Sequence, residues 1–376
     1  MKRLVLVGGG HAHVEVLRRF GLQPPAGVEL LLVSPDRYTA YSGMLPGLVA
    51  GHYSFEQCHL DLEALTAHAR ARFLRDSVVR LDASAQVLGC DSGASVSYDL
   101  VSFDVGAAPG GDARRDPERA GIAVKPVNRF LNEWERVLQL ARQRPLNLTV
   151  VGGGAGGVEI ALAMQHRLRQ LTPRNSARLA IVTMTEAILP NHSAGVRRRM
   201  QRVLAQRGIA VHARSRVLGM EEGALRLESG ERLPADRAFW ALGAQAAVWL
   251  AEAGLATDAG GFVLVNELLQ SYSHPHVFAA GDIASMSGYP RPKSGVYAVR
   301  QGPPLADNLR RALEGQRLEP YFPRPLALNS ISTGDKCAVA SWGPIAWEGA
   351  WVWRWKDRID RRFMRRYGEE RSDVAS

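Results

Sequence analysis

Two glycine-rich turns carry the clearest chemical signal in the chain. Residues 148–162 read LTVVGGGAGGVEIAL, where Gly152, Gly154 and Gly157 complete a G-x-G-x-x-G pattern between an apolar β-run and a helical pattern. A turn of this kind presents free N–H groups and the positive end of a helix to an anion, and suits the pyrophosphate of a dinucleotide. Residues 3–16, RLVLVGGGHAHVEV, repeat the arrangement with Gly8 and Gly10, but His13 stands where the third glycine is expected. A third nucleotide signal is VFAAGDIA, in which a β-run ends in Gly281-Asp282. The glycine permits close approach, and the carboxylate accepts hydrogen bonds from sugar hydroxyls.

The elements that position these turns occur twice, in the same order. VELLLVSPD, ending at Asp36, parallels RLAIVTMTE, ending at Glu186. Gly8 to Gly152 and Leu45 to Leu189 share one offset of 144 residues. FDVGAAPG, with Gly106, parallels WALGAQAA, with Gly243. Four matching stations predict two dinucleotide-binding units of similar construction. The acid that usually bonds the ribose about 20 residues after such a turn is missing from both units. Ser34 and Thr183 hold the strand ends instead, with Asp36 and Glu186 shortly after, and no arginine directly follows Thr183. NAD is mildly preferred over NADP on that pattern.

A length of 376 residues is comfortable for two domains, and 46% hydrophobic with 22% charged residues is a globular mix. Disorder, collagen and coiled coil are excluded. No run of 18 apolar residues occurs, so no helical span is expected. The chain enters KRLVLVGGG at once, and a secretory signal is not expected. Cys58, Cys90 and Cys337 stand far apart, which suits a reducing cytoplasm and argues against a redox disulfide or a cysteine-rich metal site. The histidines at 11, 13, 192, 274 and 276 show no metal-ligand grouping and are expected in surface or loop positions. The net charge of +10 favours acidic partners without choosing among them. The basic stretch Gly195-Val-Arg-Arg-Arg-Met-Gln-Arg lacks interleaved aromatics and reads as a solvated helix face; no nucleic-acid partner is expected.

Taken together, the turns, VFAAGDIA and the strings GGGHAHVEVL, YSGMLPGLVAG, PKSGVYAVRQGPPLADNL and KDRIDRRFMRR resemble the two-dinucleotide flavoproteins related to pyridine nucleotide–disulfide oxidoreductases. Within them the chain is similar to the type II NADH dehydrogenases, and closer still to the flavoprotein domain fused to some selenide, water dikinases. The resemblance implies an α/β fold of two Rossmann-like, three-layer ββα domains, one inserted in the other, with a small C-terminal region. It implies an FAD domain from 1–112 plus 265–325, an NAD(P)H domain over 113–264, and a cap over 326–376. By the same resemblance, Gly8, Gly10 and His11 would lie along the FAD pyrophosphate with Asp282 on the ribitol. Gly152, Gly154 and Gly157 would hold NAD(P)H, and Glu159 would lie near the flavin–nicotinamide interface. Gln301, with Lys293 and less strongly Lys336, are candidates beside the flavin. The implied activity is hydride transfer from NAD(P)H to flavin, with electrons passed on to a quinone-like acceptor.

Two departures bear on that acceptor. The quinone-associated A-Q-x-A-x-x-Q of the type II enzymes reads Gly295-Val296-Tyr297-Ala298-Val299-Arg300-Gln301 here, keeping Ala298 and Gln301 only. The cysteines that carry sulfur in sulfide:quinone oxidoreductases have no matching cluster. Alternatives are a reductase of a small acidic carrier of ferredoxin or rubredoxin type, and a low-turnover flavin sensor linked to selenium metabolism.

Trp351, Trp355, Ile359, Phe363 and Tyr367 recur every four residues as one drifting helical stripe, with arginines largely opposite. Such a helix over 351–367 suits an anionic bilayer, an aromatic stripe docked on the protein, or a patch for an acidic carrier. The protein is accordingly placed in the cytoplasm, either free or peripheral on the inner face of the membrane. The oligomeric state stays open.

Overall fold

A computed structural model describes residues 1–109, 121–172, 177–324 and 327–368; the expected joins at 112/113 and 325/326 lie outside the described residues. Numbering only the elements used below, the chain runs β1 (Lys2–Val7), α1 (His11–Leu22), β2 (Val28–Val33), β3 (Arg72–Leu74) and β4 (Leu100–Phe103). It continues through β5 (Ile122–Ala123), α2 (Val127–Gln143), β6 (Asn147–Val151), α3 (Ala155–Leu171), β7 (Arg178–Val182), α4 (Ala194–Gln206), β8 (Ala210–His212) and β9 (Arg237–Trp240). It closes with β10 (Val277–Ala279), α5 (Gly295–Glu314), β11 (Asn329–Ser332), β12 (Ala338–Trp342), β13 (Ile345–Gly349) and α6 (Ala350–Gly368).

Five strands in the order β10-β4-β1-β2-β3 form one parallel sheet, and β5-β9-β6-β7-β8 form a second parallel sheet of the same plan. Their central strands are continuous apolar runs because both faces are covered, as parallel sheets require. Leu4, Val5 and Leu6 are fully buried in the first, and Leu148, Val150 and Val151 are buried in the second. Each unit adds a three-stranded antiparallel meander: Val78–Asp82, Val87–Cys90 and Ser95–Ser97 in the first, Val217–Glu221, Ala224–Leu227 and Arg232–Pro234 in the second. The doubled α/β architecture expected from the sequence is thus present.

Ala246, Leu250, Leu255 and Val263 are buried in the same apolar core as Leu4 and Val101. The chain therefore rejoins the first core some way ahead of residue 265. The C-terminal sheet β11-β12-β13 is antiparallel and packs against α6, with Val352 buried among Ala338 and Ala340. α6 then reaches α1: Tyr367 Oη donates to Glu15 at 2.8 Å, and Arg366 pairs with the same carboxylate at 2.8 Å. Burial alone would raise Glu15, but bonds from Arg18, Arg19 and Tyr367 outweigh it and hold the carboxyl below its usual range.

Candidate functional site

Both glycine turns share one backbone. Gly8 N–H donates to Val33 O at 2.8 Å, and Gly152 N–H donates to Val182 O at 2.8 Å. Both glycines have positive φ, +92° and +131°. A Cβ at Gly8 would stand 2.5 Å from Asp104 O, and one at Gly152 would stand 2.3 Å from Ala241 O. Only glycine allows that approach of turn to neighbouring strand.

The second turn is open. α3 begins after Gly154 with no side-chain cap, and a Cβ on Gly154 or Gly156 would meet nothing within 4 Å. At Gly157 a Cβ would lie 2.1 Å from Gly152 O, so the third glycine lets helix and strand close up. Thr183 is buried at the end of β7, its Oγ1 2.8 Å from Thr185 Oγ1, and Glu186 beyond it pairs with Arg214. Arg214 reaches this position from beyond β8, which the local sequence around Thr183 could not reveal. Gly243 has open space around it.

In the first turn a side chain fills the equivalent space. His13 is wholly buried, not at the surface as expected: its Nδ1 lies 2.7 Å from Gly8 O and its Nε2 2.8 Å from Ser102 Oγ. The carbonyl can only accept, so Nδ1 carries the proton and Ser102 donates to Nε2. Burial holds this ring down to about 4, so it is neutral at physiological pH. The Asp104 carboxylate accepts from Ala12 N–H at 2.8 Å and from His13 N–H at 3.2 Å, capping α1 from the end of β4. A Cβ on Gly10 would meet that carboxylate at 2.2 Å, and one on Gly281 would meet it at 2.3 Å. Burial raises Asp104 to about 7. His11 flanks the stacked rings of Tyr41 and Phe363, with a buried Nε2 that has no hydrogen-bond partner, and burial lowers it to about 4.

Around the first turn, Ser34 is buried with its hydroxyl donating to Asp36 O at 3.3 Å, and Gly106 bends at φ +68° into open space. Gly281, at φ +69°, donates its N–H to Gln301 Oε1 at 2.7 Å, while the Gln301 amide reaches the Met286 sulfur. Gln301 thus holds the Gly281-Asp282 turn. Asp282 pairs with Lys125 at 3.1 Å. Lys293 donates to Ala284 O at 2.6 Å and lies 3.9 Å above the Phe262 ring. Lys336 lies over Trp353.

Glu159 points from α3 toward the C-terminal unit and accepts from Ser332 N–H at 2.7 Å. Burial raises it to about 7, with Lys356 pulling the other way. Lys356 pairs at 2.6 Å with the buried Asp360, which Tyr41 also bonds. This cluster joins one dinucleotide unit, the strand-end loop after β2 and α6. The sequence signalled Glu159 alone, because Lys356 and Asp360 lay within a helix read for its aromatic stripe.

That stripe divides. Phe363 stacks on Tyr41 at 4.2 Å between centroids and Tyr367 is buried, whereas Trp351, Trp355 and Ile359 remain 43–49% exposed. The basic face of α4 is likewise only partly solvated, since Arg202 and Arg199 pair with Glu348 of β13. Cys58 and Cys90 are buried with thiols raised by burial, and no cluster of metal ligands occurs among the described residues.

Two parallel sheets with matched glycine turns define the fold of an oxidoreductase that works with two dinucleotides. Residues 2–302 match the family described as pyridine nucleotide-disulphide oxidoreductase, and the chain belongs to that family, whose oxidoreductases use FAD and NAD(P)H. It is 21% identical over 364 residues to the type II NADH:quinone oxidoreductase of Staphylococcus aureus, covering 90% of this chain and 88% of that protein. An NADH dehydrogenase-like protein of Mycobacterium tuberculosis is 23% identical, over 76% of this chain and 73% of its own length. Among solved structures, NDH2 of Plasmodium falciparum in complex with NADH superposes with a TM-score of 0.81 at 14% identity, covering 96% of this chain and 97% of the other.

The residues present fit both cofactors. The α3 N-terminus and the open space at Gly154 and Gly156 suit the approach of a dinucleotide. At the first turn the orphaned His11 Nε2 and the Gly8 approach suit FAD, while the Asp104 carboxylate already bonds the helix start.

Proposed function

We propose that the protein is an FAD-dependent NAD(P)H dehydrogenase that passes electrons to a quinone-like acceptor. The observation that carries this reading is the placement of Glu159, on the helix that follows the open turn, accepting from Ser332 N–H at 2.7 Å beside the Lys356–Asp360 pair. FAD bound at the first turn would take hydride from NAD(P)H at the second and release electrons singly or in pairs. Gly152, Gly154 and Gly157 would seat the nicotinamide nucleotide, with Thr183 and Glu186 toward its ribose. Gly8, Gly10, His11, Ser34, Asp36, Gly106, Gly281 and Asp282 would line the FAD, and Gly243 the passage between the units. Gln301 acts as a positioning residue through the Gly281-Asp282 turn. Glu159, near neutrality, can hold or yield the proton that a quinone takes up on reduction, with Lys356 stabilising its charged form. Lys356 is the cation that acts on Glu159, while Lys293 and Lys336 remain candidates beside the flavin.

The FAD unit would comprise 1–112 and 265–325, with the 244–264 segment added to it on packing grounds. The NAD(P)H unit would span the insert. Anaerobic titration with NADH and NADPH, followed at the flavin absorbance band, tests the donor side; stoichiometric bleaching is expected. Steady-state rates with quinone analogues and with small acidic carriers then test the acceptor, and a rate confined to the carriers would overturn the quinone.

Trp351, Trp355 and Ile359 support peripheral contact with an anionic bilayer, since exposed aromatics beside Arg354, Arg358 and Arg362 suit its interface. No helix among the described residues is long and apolar enough to cross a membrane. Full-length protein should sediment with anionic vesicles at low salt, and a Trp351→Ser/Trp355→Ser variant should sediment several-fold less. Equal sedimentation of the two would sink the proposal.

A further inference from the structure

The Asp104 carboxylate lies at the N-terminus of α1, where a glycine turn of this kind offers its donors to an anion. It takes the N–H groups of Ala12 and His13, two of the three donors that precede the first intrahelical bond from Val14, the third being His11 N–H. In the second unit the same station past the strand is Ala241, and among the described residues no side chain is seen to bond the first N–H groups of α3. The backbone around both stations is shared: Asp104 N–H donates to Val7 O at 2.9 Å, and Ala241 N–H donates to Val151 O at 2.9 Å. A carboxylate has therefore been added to one of two equivalent anion cradles.

We propose that Asp104 is a built-in competitor for the FAD pyrophosphate, so that FAD binds this protein only with the loss of charge at that carboxylate and is released more readily as pH rises. The proposal rests on the first turn being the FAD turn. Two anions sharing the same two donors repel in a buried site, and neutralising the carboxyl is the least costly relief. Among the described residues no cation lowers the carboxyl. His11 and His13 of α1 are held near 4 and are neutral; Asp282, in the turn before α5, raises Asp104 further; Lys125 is paired with Asp282. Gln301 of α5 is spent on Gly281.

The sign follows from linkage. Asp104, raised to about 7 without the cofactor, binds a proton more readily when the pyrophosphate is present. FAD affinity is then level below pH 7 and falls above it, by up to about tenfold per pH unit. The test is flavin release from the holoprotein on serial dilution, read by recovery of free-flavin fluorescence between pH 6 and 9. Wild type should release FAD with a Kd about tenfold or more higher at pH 9 than at pH 6.5. Asp104→Asn, neutral and of the same size, should hold FAD with a Kd that is level across the range and at least tenfold lower at pH 9. Asp104→Ala, matching Ala241, should also be level, even if the lost cap lowers its Tm. A level wild-type Kd, or an Asp104→Asn variant no tighter than wild type at pH 9, would overturn the proposal. Protein that carries no flavin at any pH in all three forms would overturn the placement of FAD at this turn, and the proposal with it.

Discussion

The first and second glycine turns have the same strand order, the same 2.8 Å bond from the leading glycine and the same close approach to a neighbouring strand end. Two of the side chains that differ between them are polar groups built into the first turn. Where the second turn has Gly157 and Ala241, the first has His13 and Asp104, and both of those polar groups are buried and bonded to the turn itself. The backbone of a nucleotide turn is thus separable from its readiness to accept an anion. An uncapped helix start waits for a ligand, while a capped one must exchange a partner to bind the same group.

The largest effect is expected where the second turn is open. Gly154 sits in extended backbone at φ −73°, and its Cβ would meet no protein atom. A Gly154→Val change therefore costs the fold little but fills the dinucleotide's space. Flavin reduction by NADH should slow by a hundredfold or more while FAD content stays at the wild-type level. Concurrent loss of FAD would show that the turns are not separable. Next come the leading glycines, where the two turns should behave alike. Gly8→Ala and Gly152→Ala each place a Cβ within 2.5 Å of a backbone carbonyl at positive φ, so each should lose about 2–4 kcal/mol of stability. Thermal unfolding checks this; a harmless Gly152→Ala would mean the backbone relaxes where the structure has it clamped.

The doubled sheet was legible because it is written in features of short range: apolar runs, glycine spacing and a constant offset of 144 residues. What escaped were side chains that meet across long separations. Asp104 reads locally as a strand-end acid, and nothing near it says that it reaches Ala12, 92 residues away. His13 was recognised as a departure, yet its partner Ser102 lies 89 residues on. Lys356 and Asp360 belong to a helix whose four-residue aromatic period suggested one face, whereas the docked face holds Val352, Asp360, Phe363 and Tyr367 and leaves two tryptophans outside. Periodicity gives a stripe but not which part of it finds a partner.

A smaller effect should come from Glu159, which has no counterpart in the first unit beyond the arginine-bound Glu15. Burial raises Glu159 to about 7 and Lys356 opposes that. If its proton serves the acceptor, the rate of reoxidation falls as pH rises through 7, because the carboxyl is then ionised. Glu159→Gln cannot titrate, so it should lower turnover about tenfold and flatten that limb, while the NADH half-reaction keeps its rate. An unchanged pH profile would reduce Glu159 to a structural tie to Ser332.

The smallest expected effect dissects the difference between the turns most directly. At Gly10 an added Cβ meets the Asp104 carboxylate at 2.2 Å, whereas at Gly154, its counterpart, it meets nothing. Gly10 is in extended backbone at φ −68°, so no dihedral strain accompanies the change. Gly10→Ala should cost about 1–2 kcal/mol through displacement of the Asp104 cap, and Gly154→Ala should cost close to nothing. In an Asp104→Ala background the Gly10→Ala penalty should largely vanish, since the obstructing group is gone. The coupling in that double-mutant cycle, read from denaturant midpoints, isolates the Gly10–Asp104 contact, which the second turn lacks. A Gly10→Ala cost that persists without the carboxylate would place the crowding in the backbone instead, and the two turns would then differ in shape as well as in their caps.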